Sequence, residues 1–397
     1  MSREKQTMHS VSNKSTNEEK EIRRLEKRKA KQEKYYMSSQ WQLMGRKLIR
    51  HKLAVISFIL LATLYMGALF ANFIAPQGLE DYSATYSNAP PSKIHFIHQG
   101  EFAGPFVYPY DITYDKFQNK IFVENKDKMF PIHLFVKGTS YKFLGFIRSD
   151  LHLFGVDNSN LKEGTDQVNL MIFGSDQLGR DLFSRILIGS QVSLTVPLLG
   201  TLLSFVLAII IGGLSGFYGG IVDIVVQRII EVISAFPTLP LWMALSAAIP
   251  AGISVTKVYI FITIIMSLLS WPSLARTVRS KFLSLKKEDY IMAAKLAGVS
   301  DFMIILRHLV PGFMSYLIVS LTLGIPNMIL GETSMSFLGL GMRAPATSWG
   351  VLLQECQSIS NIAGCPWKLI PVLYVVVAVL AYNFLGDGLR DAADPYK

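Results

Sequence analysis

The sequence has no Gly-rich loop ending in Lys-Ser/Thr, no His-Glu-x-x-His, no Gly-x-Ser-x-Gly elbow and no Cys-x-x-Cys pair. Their absence removes the usual sequence grounds for a nucleotide-cradling loop, a zinc protease, a serine hydrolase or a dithiol redox centre. Cysteine is nearly absent: Cys356 and Cys365 are the whole complement. A disulfide between them and two free thiols both fit a loop outside the membrane. His95 and His98 are spaced as two metal ligands on one helical face would be, but no cysteine or carboxylate cluster completes a site, so they read as surface histidines and no metal or other cofactor is expected. No short apolar core lies near residue 1. The first apolar run begins after about fifty polar residues, so it reads as a retained anchor and not as a cleaved signal.

What is abundant is apolar surface. Half of the 397 residues are hydrophobic and the mean hydropathy is positive, which is too apolar for a soluble chain of this size. A bilayer core about 30 Å thick takes roughly 20 apolar residues of helix. Six runs meet or approach that length, at 52–75, 193–217, 229–250, 256–275, 311–331 and 367–386. The expected fold is an all-α polytopic membrane protein with six transmembrane helices.

Charge is segregated. Residues 1–52 hold fifteen Lys/Arg against six Asp/Glu, which accounts for nearly all of the net charge of +10. Basic flanks stay in the cytoplasm, which places the N-terminus inside. Six crossings then place 276–310 inside too, with Arg276, Arg279, Lys281, Lys286, Lys287, Lys295 and Arg307, and return the C-terminus to the cytoplasm. The run Arg23–Lys34 could meet anionic lipid or nucleic acid; orientation and lipid contact explain it without nucleic acid.

The organisation expected from composition is a basic tail over 1–51, a first span over 52–76, an external insertion over 77–170 and a permeation core over 171–397. The insertion is polar and aromatic, with β-like runs at Ile121–Glu124, Ile132–Lys137 and Tyr141–Ile147. After it, Leu178, Leu182, Phe183, Ile186 and Leu187 share a helical face opposite Arg180, Ser184 and Arg185, which predicts a helix lying in the outer interface. Gly212, Gly213, Gly216, Gly219 and Gly220 at the end of the second run suit close helix packing or a turn. Pro237, Pro240, Gly324 and Pro326 predict kinks in the third and fifth spans.

Ionisable residues in apolar runs cost at least ~2.5–3.5 kcal/mol unless they find a partner or water. Arg228, Glu231 and Glu332 are the candidates for a pathway or gate. Arg228 and Glu231 could equally neutralise one another at a helix end, and Glu332 could instead cap a short re-entrant turn.

The most informative stretch is Glu288-Asp289-Tyr290-Ile291-Met292-Ala293-Ala294-Lys295-Leu296-Ala297-Gly298, followed by Pro311. Ala293, Ala294 and Ala297 favour a helix with a bare face, and Gly298 ends it. It resembles the coupling motif of ATP-binding-cassette importer permeases, Glu-Ala-Ala, three residues, Gly, then Ile-x-Leu-Pro. Met292 stands where that family usually has Glu, which removes any salt bridge from that position, and His308 and Val310 replace aliphatic residues. Gly174-Ser175-Asp176-x2-Gly179-Arg180-Asp181-x2-Ser184-Arg185, Ser336–Gly341 with Trp349-Gly350, and Asp387–Asp391 with Asp394-Pro395 are similar to the dipeptide/oligopeptide/nickel branch. Ser175, Glu231 and Ala393 replace its usual Thr, Asp and Leu. The basic tail, Trp41 and Ala75-Pro76 look like the oligopeptide permease C type, here with a larger external insertion.

The resemblance implies a transport subunit of the bacterial cytoplasmic membrane that makes no covalent bonds and works by alternating access. It implies docking of about Asp289–Gly298 on separate ATPase subunits, pairing with a second permease subunit, and delivery of substrate by an extracytoplasmic solute-binding protein. Peptides lead nickel and related solutes as substrate. The alternatives are a permease-like sensor without transport and a membrane enzyme working on envelope peptide through its external domain.

Overall fold

Proline and glycine punctuate the long apolar runs into helices whose ends do not fall where hydropathy alone puts them. The computed structural model describes residues 40–116, 120–143, 147–156, 168–250, 252–343 and 345–394. Of the tail expected over 1–51, residues 1–39, with Arg23–Lys34, lie outside the described residues.

Helix α1 spans Gln40–Arg50 and α2 spans Lys52–Leu69, with His51 between them accepting the Ala54 N–H at 3.2 Å as the α2 cap. A short α3, Ala71–Ile74, ends the first apolar run. The core helices are α4 (Leu182–Tyr218), α5 (Gly220–Ala235), α6 (Thr238–Ala247), α7 (Val255–Leu285), α8 (Asp289–Leu296), α9 (Met314–Phe337), α10 (Trp349–Leu353) and α11 (Ile370–Ala393). Among the described residues five helices are long and apolar enough to cross a membrane, and six spans result if the pair α5 and α6 counts as one. That pair bends by 86°, so the straight third span expected from hydropathy is instead two short helices, arranged as a broken span or a re-entrant loop. The break falls at Phe236-Pro237, where proline removes a backbone donor and disfavours helical geometry in the residue before it.

Tight contact between α4 and α7 explains three of the glycines. A Cβ on Gly216 would sit 2.6 Å from the Arg279 carbonyl oxygen, and one on Gly213 would sit 2.9 Å from the Phe282 ring. Gly212 lies as close to Ala275. Gly219 and Gly220 instead make the turn into α5, at φ +69° and +55°, a region that glycine enters without steric cost. Around α4 pack α2, α9 and α11, burying Leu61, Ile186, Leu194, Ile329, Trp349 and Ala378 together. Lys47 Nζ donates to the Asp394 carbonyl at 2.8 Å, so the beginning of the described chain and its end lie on one side of the bundle.

The segment over 174–185 is not an interfacial helix. Gly174 and Gly179 take φ +78° and +73°, Ser175 bridges to Asp181, and the helix starts only at Leu182. Asp181 accepts the Ser184 N–H at 2.8 Å and the Phe183 N–H at 3.3 Å, a strong N-terminal stop. Arg185, expected to face water, is buried and ion-paired with Asp176. One turn and one cap convert the amphipathic pattern into the mouth of a span.

Between α3 and α4 the described residues form six strands: β1 (His95–His98), β2 (Glu101–Val107), β3 (Tyr110–Tyr114), β4 (Lys120–Glu124), β5 (Phe130–Phe143) and β6 (Ile147–Val156). They form an antiparallel sheet of order β1-β2-β5-β6 and a separate β3-β4 hairpin. The runs expected at Ile132–Lys137 and Tyr141–Ile147 are not two strands: residues 132–143 lie in the single strand β5, with a register irregularity between Lys137 and Tyr141, and Ile147 already begins β6.

A candidate pathway cleft and a candidate docking helix

Serine, threonine and asparagine side chains gather midway along α4, α7 and α9. Thr201 and Ser204 on α4, Ser270, Ser273 and Thr277 on α7, and Ser320 and Asn327 on α9 line a cleft of about 370 Å³ with Trp242 of α6. Among the described residues no charged side chain lines it. Thr201 Oγ1 and Trp242 Nε1 are buried here without a hydrogen-bond partner. A buried unsatisfied polar atom is costly, so these two leave the cleft with unmet hydrogen-bonding capacity.

The candidates named from sequence do not line this cleft. Arg228 Nη1 donates to Glu231 Oε2 at 2.7 Å, and the pair is 77% and 55% exposed on α5. Glu332 is fully buried. Ser336 Oγ donates to its Oε1 at 2.7 Å and Ser193 Oγ reaches its Oε2 at 3.4 Å. Ser193 also accepts the Trp349 N–H at 2.9 Å, so the carboxyl joins α4 and α9 to the start of α10. The hydroxyls of the cleft went unnoticed because isolated Ser and Thr in apolar helices carry no motif; their only signal is recurrence at similar depth in three runs.

At the opposite end of α4, the Asp223 carboxylate takes both Nε and Nη2 of Arg279, the latter at 2.5 Å, with Ser215 Oγ donating to Oδ1 at 2.5 Å. At the other mouth Asp176 accepts the Leu178 and Arg180 N–H groups at 2.8 and 2.9 Å and pairs with Arg180 and Arg185. Burial pushes the neighbouring Asp181 carboxyl up to about 6, against the pull of Ser184 and two backbone donors.

Helix α8 is stapled to the bundle by one face only. Ile291 is buried among Phe217, Val278, Phe282, Ile304 and Leu309, and Lys295 Nζ lies 4.9 Å over the Phe217 ring. Gly298 takes φ +76° just beyond the helix, and a π-helical turn, Ile305–Leu309, precedes Pro311. The other face carries exposed Tyr290, Met292, Ala293, Ala297 and Leu296, the last 90% exposed, beside exposed Phe302 and Leu306. Ala294 is only partly exposed. Such a cluster is unusual for a surface that neither lipid nor protein covers.

Cys356 and Cys365 are both free thiols; Cys356 Sγ donates to the Lys368 carbonyl at 3.3 Å. Burial raises both thiols above their usual range. His95 Nε2 lies 3.3 Å from Glu124 Oε2, and no group of metal-binding residues occurs among the described residues.

Residues 172–396 match the family described as binding-protein-dependent transport system inner membrane component. The chain belongs to this family. Residues 39–91 match the N-terminal transmembrane domain of oligopeptide transport permease C. The permease is 38% identical over 224 residues to the dipeptide transport system permease protein DppC of Bacillus subtilis, covering 56% of this chain and 68% of that one. It is 37% identical over 239 residues to the glutathione transport system permease protein GsiD of Pectobacterium atrosepticum, covering 60% and 76%. An inward-facing structure of the MetNI methionine ABC transporter overlaps it with a TM-score of 0.42 at 17% identity, covering 52% of this chain and 96% of that one. The permease is thus a multi-pass inner-membrane transport subunit, of a family whose members are not themselves enzymes.

Proposed function

We propose that this permease carries peptides through the hydroxyl-lined cleft by alternating access. The observation that carries the reading is the cleft's chemistry: at mid-span depth it offers hydrogen-bonding groups without fixed charge. A peptide has a donor and an acceptor at nearly every residue and side chains of either sign, so neutral partners serve all of them. Dipeptide and glutathione permeases among the relatives agree with this class.

Energy enters through α8. Its exposed face, from Asp289 through Met292, Ala293 and Ala297 to Gly298, docks in a groove of a separate ATPase subunit, with half-buried Ala294 at the edge of that face and Pro311 fixing where the following span begins. ATP-driven closure shifts the permease only through contacts that differ between its two states. Both termini are cytoplasmic, residues 77–170 are external, a second permease completes the pathway and a solute-binding protein supplies it. The core over 171–397 moves, while Arg228, Glu231 and Glu332 stay outside the solute's path.

The test is gentle purification with identification of partners, then uptake of labelled short peptides and of nickel by the reconstituted complex. Recovery of ATPase and second permease subunits with ATP-dependent peptide uptake is the expected result. An assembled complex that moves nickel and no peptide would overturn the substrate, and a chain that never recruits an ATPase would overturn the coupling.

A further inference from the structure

The external sheet descends toward the membrane beside the end of the first span. His152 Nδ1 lies 2.5 Å from the Ala75 carbonyl oxygen, and Val136 pairs with His152, so this part of β5 and β6 is level with Ala75. Further along β5, Phe143 stacks on Phe70 with ring centroids 5.7 Å apart. Phe70 directly follows α2, whose 18 residues make about 27 Å of helix, close to the hydrocarbon thickness of about 30 Å. Phe70 therefore marks the outer boundary of that span, and the β5-β6 hairpin runs from the level of Ala75 down to it.

The residues at the hairpin's end are poorly suited to open water. Lys142 stands directly opposite Arg148, and Phe143 opposite Ile147. Like charges facing each other across a sheet repel. Both cations are exposed, and Ile147 is 51% exposed beside them. Anionic headgroups would neutralise the first pair, and the acyl boundary would shelter the second. Cations flanking aromatic and aliphatic side chains are the usual composition at this depth.

We propose that the last described pairs of β5 and β6, Lys142 with Arg148 and Phe143 with Ile147, form a lipid-binding foot. Lys142 and Arg148 take the phosphates of anionic lipids in the outer leaflet, and Ile147, beside Phe143, enters the acyl boundary. The foot fixes the height and tilt of the external sheet over the bundle, independently of which solute is carried.

The test uses nitroxide labels on the full chain carrying C356S and C365S, reconstituted in vesicles with and without phosphatidylglycerol. I147C reports the foot, and D127C reports the turn before β5, at the far end of the same strand. The expected result is relaxation by oxygen over aqueous nickel chelate at 147 and the reverse at 127. Phosphatidylglycerol shifts the label at 147 deeper, and adding K142Q with R148Q abolishes that shift without changing the melting temperature. Equal access of nickel chelate to both labels would overturn the proposal. So would exclusion of both relaxants from 147, which means a protein covers it, and so would a depth indifferent to phosphatidylglycerol, which removes the headgroup assignment.

Discussion

Arg279 grips Asp223 with two guanidinium nitrogens, joining the first turn of α5 to the last third of α7. The fork geometry matters as much as the charge, because a lysine cannot reach both carboxylate oxygens from one plane. The same carboxylate accepts Ser215 from the end of α4, so three helices meet at one group.

Arg279→Lys should therefore destabilise the permease. A lost charged hydrogen bond is worth about 1.5–3 kcal/mol, and partial exposure puts the expectation at the low end. A melting temperature in detergent unchanged from wild type would show the clamp to be incidental.

Glu332 holds α10 against α4 and α9 through Ser193 and Ser336. Glu332→Gln keeps one carbonyl acceptor and replaces the other with an amide N–H that a serine hydroxyl can accept by turning, so it should fold normally, whereas Glu332→Ala leaves the hydroxyls unpaired in a buried site, at about 1–3 kcal/mol for each group stranded. Folded yield after membrane extraction distinguishes the two. Equal yields would return Glu332 to the list of pathway candidates.

Asp181 gives a pH dependence of stability. Its folded value, about 6, lies above the ordinary 3.8, so the stabilising contribution is fully present below pH 3.8 and disappears as pH rises through 6. Lowering the pH from 7 to 5 should add about 1 kcal/mol from this group. Asp181→Asn keeps a good cap without the charge and should flatten the response. Melting curves at the two pH values for both proteins check it; parallel shifts would mean that other groups dominate.

Leu296 touches little of its own chain, being 90% exposed on α8. Leu296→Asp should leave the stability within about 0.5 kcal/mol of wild type, as surface changes do, while abolishing co-purification of the ATPase. Retention of the ATPase with normal uptake would remove the docking role from this face.

Much of the class was legible from residues alone. Long apolar runs force backbone hydrogen bonds to close within helices, so hydropathy reads six spans where the described residues have five long apolar helices and one bent pair, and the resemblance at 174–185 and 288–311 points to the family that residues 172–396 match. The helix ending before Gly298 was readable too, since alanines favour helix and a left-handed glycine stops it. Asp223 was missed for a physical reason: hydropathy started the third span at 229, after the acid, while the helix begins at Gly220 because two glycines turn the chain there.

Composition and local pattern determined the membrane environment, the helical spans and the external position expected for the polar insertion, because solvation of backbone and side chains acts residue by residue. The convergence of Thr201, Ser270 and Asn327 on one cleft, the burial of Glu332 among serines, the Asp223 clamp and the descent of β5 to Phe70 were decided only by tertiary structure. Each depends on which elements face one another across 56 to 139 residues of chain, and a side chain's hydrogen-bond partner is fixed by that packing and not by its neighbours in sequence.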